Sequence, residues 1–396
     1  MDELNEIREN QEVESEDTSF GNDVIEKPFN PNDIEIETPP FTVGYLIDSI
    51  RYGEINMNTD FQRESNLWSS QRQSRLIESI LLGLPLPAFY FDTTGKPWDI
   101  IDGLQRCCAI ENFCIKKTLK LTGLEFLGKK EGGESDYLNN LGFEDLPLPL
   151  QTSIIRRQIV IFKLKKAPLR VRYHLFKRLN TGGLELTPQE IRNAIFQGKA
   201  SDTVKNFAQF DVFKKATDGK IKTQRMEDRD FVSRFIAFYL INYTEYQPGL
   251  DDFINSSMEI IEKTEDTQKI ENDFKKSLLL SIDIFGTDAF RKRTNENDAR
   301  HPINKAYFEV ITSTFAKLND DKINRLKRHK TLFRNNLIEL MKNVRYSNSL
   351  SQGTGTADSV KIRFSWFHQV LEKSINGIEI KITDDNKIED SELQIA

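Results

Sequence analysis

Residues 98–106 read WDIIDGLQR, from Trp98 to Arg106. Ile100 and Ile101 are β-branched and sit in a short apolar run, which is strand chemistry. Gly103 breaks that strand, and a helix begins near Gln105 and runs through RCCAIENFC. Upstream, AFYFD (88–92) reads as a second strand by its aromatic content. TTGK (93–96) supplies the turn of a hairpin. A strand that ends on a carboxylate and turns on a glycine into a helix start places free backbone N–H groups beside charged side chains. That arrangement favours an anion. Arg106 adds a fork suited to phosphate oxygens, Gly103 lets a ligand approach the backbone, and Asp102 can hold Mg²⁺ or orient a water. An ordinary Asp-Gly turn explains the same residues taken alone.

Further out, Val43, Leu46, Ile47 and Ile50 have the i, i+3, i+4, i+7 spacing of a short helix ending near Gly53. SSQRQSRLIESILLGLPLP (69–87) begins with Ser69 or Ser70 as N-cap and stops at Gly83 and Pro85. LKLTGLEFLG (119–128) reads as a strand and turn, PLPLQTSIIRR (147–157) as a helix, QIVIFKL (158–164) as a buried strand and APLRVRYHLFKRLN (167–180) as a helix. Thr187, Pro188 and Glu190 form a capping box. Beyond about 185 the pattern is almost wholly helical. The expected fold class is α+β, a small mixed sheet at 41–184 followed by an all-α region at 185–378. Residues 1–40 and 379–396 are expected to be acidic tails.

Charge divides the same way. The chain carries a net −6, but residues 1–40 hold 13 acidic and 2 basic residues, and 379–396 hold 6 and 2, leaving +9 for the body. A basic body is compatible with nucleic acid, and the acidic arm reads as a solvated tail or as a competitor for a basic face. Arg156, Arg157, Lys165, Lys166, Arg170 and Arg172 lie in a stretch, 156–178, without Asp or Glu. They are the candidate DNA-binding residues. Lys322, Arg325, Lys327, Arg328 and Lys330 form a second basic cluster. A solvated helix face is the plain alternative for both. The three cysteines, Cys107, Cys108 and Cys114, fall within eight positions and read as small core residues, which excludes a disulfide scaffold. No apolar run approaches the ~20 residues of a membrane crossing, and no signal core opens the chain. A cytoplasmic protein without membrane contact is expected.

Two more segments carry chemistry. DFQR (60–63) places Gln62 and Arg63 beside Phe61 and ahead of Trp68. KRLNTGG (177–183) offers Asn180, Thr181 and Gly182 from a tight turn. A surface loop and a glycine C-cap are their plain alternatives. Together the segments FQR…W, LIESILLGLPLP (76–87), IIDGLQR (100–106), FKRLNTGG (176–183) and LTPQEIRNAIF (186–196) resemble the GmrSD-type restriction endonuclease N-terminal domain family. That family's pattern is YQR or FQR with Trp, LIESIL-G-P-P, a DGQQR box and RLNTGG-L-QE-RNA. MEDRDFVSRFIAFYL (226–240) and residues 285–316 resemble later parts of longer members, so the likeness spans roughly 41–375.

The resemblance implies a ParB/sulfiredoxin-like core. It also implies a nucleoside triphosphate with Mg²⁺ at the box, in a bacterial anti-phage restriction system that engages DNA. It casts Asp102, Gln105 and Arg106 as catalytic, with Asp102 on the metal. Gln62, Arg63, Gly103, Arg106, Asn180, Thr181 and Gly182 would bind the nucleotide. One departure stands out: Leu104 occupies the position of the family's first Gln, which implies slow or absent hydrolysis if that Gln serves the reaction. His174, His301, His329 and His368 do not form the cluster a His-Asn-His nuclease needs. The nuclease is therefore expected on a separate effector, or a toxin takes its place. The alternatives are a non-enzymatic module that senses nucleotide or modified DNA, and a ParB-like core that nicks DNA itself.

Overall fold

The computed structural model describes residues 12–16, 30–57, 68–128, 138–179, 186–196, 198–295, 298–383, 385 and 387–391. The chain divides into two units, 29–195 and a second made of 1–28 with 196–396.

The first unit is built on a four-stranded mixed sheet. Its strands are β1 (Glu35–Glu37), β3 (Phe89–Asp92), β4 (Asp99–Asp102) and β6 (Ile161–Lys166), in the order β1-β6-β3-β4. β3 and β4 form the expected antiparallel hairpin, with Tyr90 opposite Asp102, and β6 runs parallel to β3. A second two-stranded piece pairs β2 (Phe41–Thr42) with β5 (Gln158–Ile159). Helices α1 (Val43–Arg51), α2 (Ser70–Leu82), α3 (Leu104–Ile110) and α4 (Leu148–Arg156) share one apolar core with Phe89, Phe91 and Ile161. Successive strand residues face opposite ways, so Tyr90 and Asp92 look away from that core. There Tyr90 stacks on Phe162 at 4.8 Å, and Asp92 pairs with Arg172 of α5 (Leu169–Leu179).

The local signals are realised in detail. Ser69 Oγ accepts the Arg72 N–H at 3.3 Å, and Gly83 ends α2 with φ +77°. The capping box of α6 (Pro188–Ile195) closes in both directions: Thr187 Oγ1 accepts the Glu190 N–H, and Glu190 Oε2 accepts the Thr187 N–H. α6 packs on α5 and belongs to the first unit, so the division falls after Ile195, one helix later than the expected boundary at 184. Residues 119–128 form no strand. Instead the buried Glu78 carboxylate draws in the backbone N–H groups of Glu125, Phe126 and Leu127, and that curls the segment around α2. Cys107 and Cys114 are core residues. Burial pushes the Cys114 thiol up to about 12 and the half-buried Cys108 up to about 11.

The second unit is helical. Its helices are α7 (Lys199–Ala208), α8 (Asp211–Ala216), α9 (Glu227–Leu240), α10 (Leu250–Lys263), α11 (Gln268–Phe285), α12 (Lys305–Ala316), α13 (Asp320–Arg328), α14 (Lys330–Lys342), α15 (Val344–Ser349) and α16 (Ala357–Ile375). α12 is buried from Ala306 to Ala316, its polar Glu309, Thr312, Ser313 and Thr314 included. The rings of Phe213, Phe231 and Phe290 meet its Phe308 edge-on at 4.7–6.1 Å.

Parts of the expected acidic tails have fixed partners. Glu12 and Glu14 reach Lys220 and Lys292 of the helical unit, and Val13 bridges Ile303. β1 adds an edge strand to the first sheet. Ile380–Ile382 (β7) pairs with Ile388–Asp390 (β8), anchored where Asn336 Oδ1 accepts the Ile380 N–H. In each case charge pairing or ladder hydrogen bonds supply the partner that composition by itself does not reveal.

Candidate functional site

β4 delivers Asp102 to the edge of the box, and the chain reverses at Gly103 with φ +104°. A Cβ at Gly103 would lie 2.7 Å from Phe89 Cδ1, so both conformation and space require glycine. α3 starts at Leu104 and continues as a π-helical turn over Glu111–Ile115.

The three side chains after the glycine go to three different places. Leu104 is 7% exposed and enters the apolar core. Gln105 Oε1 accepts the Trp68 N–H at 3.0 Å. Arg106 folds back on the box. Its Nη2 donates to Asp102 Oδ2 at 2.6 Å, its Nη1 donates to the carbonyls of Ala88 at 3.1 Å and of Pro87, and its guanidinium lies 4.6 Å from the Phe89 ring centroid. At 6% exposure Arg106 is a strut that ties the strand end, the β3 entry and the turn together. The Asp102 side chain stays 34% exposed, and its Oδ1 is the oxygen that Arg106 leaves open.

Trp68 is held from a second direction. Gln73 Nε2 donates to its carbonyl at 2.7 Å, and Asn112 Nδ2 donates to Gln73 Oε1 at 3.0 Å. The Arg72 guanidinium stacks over the indole at 4.5 Å. Gln73 and Asn112, which the sequence reading missed, thus support the box, and no spacing signal marks them. Gln62 and Arg63 lie outside the described residues, which resume at the pinned Trp68. Asn180, Thr181 and Gly182 also lie outside the described residues, directly after α5, which packs beside β4.

The basic candidates separate by role. Arg157 caps α2, donating to the Ile80 carbonyl at 3.0 Å, and Arg172 pairs with the buried Asp92 at 2.7 Å, so both serve the fold. Arg170 is half-buried, with interactions of its own. Arg156, Lys165 and Lys166 face solvent, with Lys165 in an exposed pair with Glu37 at 3.1 Å. Lys163, on the same strand, sits in an aromatic box: Trp98 at 3.8 Å, Phe41 at 5.2 Å and Tyr45 at 5.8 Å. Burial holds its ammonium pKa below the usual value. In the second basic cluster, Lys322 pairs with Glu372, and Lys327 and Lys330 both pair with Asp283.

Among the described residues, no group of three or more His, Cys, Asp or Glu could hold a metal. Mg²⁺ does not need one. It is commonly held by one or two carboxylates together with phosphate oxygens and water, and the open oxygen of Asp102 fits that role.

Residues 43–197 match the family described as the GmrSD restriction endonuclease, N-terminal domain. This segment is a GmrSD-type N-terminal domain. Neither a curated protein nor a solved structure matches the chain. The GmrSD-type domain begins at the first residue of α1 and ends just past α6, so it coincides closely with the mixed-sheet unit. The Asp102–Arg106 turn, the sequence RLNTGG (178–183) and the capping box at Thr187 all fall within the matched residues. No helix among the described residues is long and apolar enough to cross a membrane.

Proposed function

We propose that this chain is the nucleotide-binding, nucleoside triphosphate-hydrolysing component of a restriction-type anti-phage defence system, acting on DNA in the cytoplasm with a separate nuclease or toxin as effector. The single observation that carries this reading is the box itself. An open carboxylate, Asp102, is fixed at a strand end by a buried arginine, beside a helix start and the pinned Trp68. Asp102 Oδ1 holds Mg²⁺ or aligns the attacking water. Arg106 keeps that carboxylate oriented. Gln105 holds Trp68 in place, and Arg63, with Asn180, Thr181 and Gly182, is assigned to receive the phosphates. When bound, Mg²⁺ supplies charge neutralisation at the phosphate oxygens. Arg156, Lys165 and Lys166 are the exposed cations left for a DNA backbone.

A phosphate-release assay over a nucleotide panel, with and without DNA, tests the reading. Turnover is expected with one nucleotide, and Asp102→Ala is expected to lower it by about 10²-fold or more. Absence of both binding and turnover overturns it.

A second reading has its own observation. Leu104 is buried in the core and Arg106 is held by internal partners, so the box has fewer groups free for chemistry than its motif implies. On that reading the ParB-like core senses nucleotide or modified DNA without hydrolysis. Sustained turnover that disappears in Asp102→Ala eliminates it.

A further inference from the structure

In the helical unit, FRKR (290–293) places three cations in a row. Backbone alternation sends them to opposite sides. Lys292 goes one way, to Glu14 and Ser351. Arg291 and Arg293 go the other way, into a cavity of about 370 Å³ that Arg334 of α14 also lines. This volume is within the range of small-molecule sites.

The charges in the cavity do not balance. Asp288 pairs with Arg293 at 2.6 Å and also faces Arg300. Arg334 is exposed and has no acidic partner among the described residues. Arg291 is the telling residue. It is 6% exposed; Nη1 donates to the His301 carbonyl at 2.5 Å, while Nη2 is buried with no hydrogen-bond partner. Buried donors are nearly always paired in native proteins, charged ones above all. Burial and the neighbouring Arg300 hold the Arg291 pKa below its usual value, against the pull of Glu12, Asp218 and Asp288, which act to raise it. Phe285 and Met341 are among the apolar residues that also line the cavity. The cavity lining therefore sets three guanidinium groups, those of Arg291, Arg293 and Arg334, against the one carboxylate of Asp288, with apolar side chains beside them.

We propose that this cavity binds a small phosphate ester of nucleotide size, with its phosphate on Arg291 and Arg334 and its remainder against Phe285 and Met341. Guanidinium forks bind phosphate oxygens bidentately, as they do carboxylates, and a phosphate has acceptor oxygens enough for two forks. The site is separate from the Asp102 box and does not depend on the function assigned to that box.

The test uses the full chain carrying Asp102→Asn, which disables the box, in calorimetric titrations with inorganic phosphate, AMP, GMP, ADP, GDP, ATP and GTP. Saturable binding of at least one ester is expected. Adding Arg334→Glu, at an exposed position that leaves the fold intact, is expected to weaken it by about tenfold or more. Arg334→Lys is expected to keep most of it. The proposal is overturned if no ester binds in the Asp102→Asn chain, if Arg334→Glu binds as tightly as its parent, or if inorganic phosphate binds as tightly as the best ester. Binding lost in Arg334→Glu but untouched by Asp102→Asn supports this site and counts against the box. The reverse pattern does the opposite.

Discussion

Glu16 grips Arg234 through both carboxylate oxygens, at 2.5 and 3.0 Å, with both side chains at 7% exposure or less. Behind the pair, Glu309 accepts from Arg234 at 3.3 Å and from Arg363 at 2.5 and 2.9 Å, and neither Glu309 nor Arg363 is exposed. An acidic residue near the start of the chain thus completes a charge network in the middle of the helical unit.

Removing one partner of such a network leaves a buried guanidinium short of charge. Glu16→Ala is expected to cost about 3–5 kcal/mol of stability. Glu12→Ala, which breaks the exposed pair with Lys220, is expected to cost under about 1 kcal/mol. Urea denaturation of both variants measures the contrast, and equal effects would refute it.

Gly103→Ala meets two penalties. A non-glycine residue at φ +104° is strained, and its Cβ would sit 2.7 Å from the Phe89 ring. The expected loss is about 2 kcal/mol or more. The melting temperature should fall, and nucleotide affinity should fall with it. A variant as stable as wild type would show that the turn relaxes freely.

Leu104→Gln restores the residue common in the family's box. Because Leu104 faces the core, the amide is expected to cost about 1–3 kcal/mol and to leave turnover no faster. A clear rise in phosphate release would show that the side chain at 104 turns outward to the ligand.

His368 sets an acid limb of stability. It lies against Thr314 Oγ1 at 3.0 Å, and burial, helped by Lys317, pushes its imidazole from 6.5 down to about 4. The folded state therefore disfavours the proton that the unfolded chain accepts. The associated stability is complete above about pH 6.5 and is lost as pH falls towards 4, on the order of 3 kcal/mol in all. His368→Gln should flatten that part of the stability–pH profile. An unchanged slope would assign the limb to other groups.

The box shows how far a sequence reading reaches. Strand, turn and helix at 98–106 were legible because each rests on a few adjacent residues: the β-branched pair, the glycine and the helix start. Ser69, Gly83 and the Thr187–Glu190 box were legible for the same reason. The orientation within the box was not. Leu104 and Arg106 are two residues apart, yet one enters the core and the other returns to the carbonyls of Pro87 and Ala88. That choice depends on where β3 lies. The strand expected at 119–128 failed for a related reason, since Glu78, more than forty residues earlier, captures its backbone donors.

Composition and local pattern by themselves determined the fold class and most element positions, because short-range backbone geometry and hydrophobic periodicity act within one or two turns, while the family likeness rested on the resemblance of several separated motifs. Only the tertiary structure decided which charges remain available. Arg157, Arg172 and Arg106 are taken by partners of the fold, and Glu16 is fastened to Arg234 more than two hundred residues away. Arg291 instead keeps a buried nitrogen unmatched. Counting charges along the chain cannot separate these cases, because pairing is fixed by which segments meet in space and by how completely water is excluded where they do.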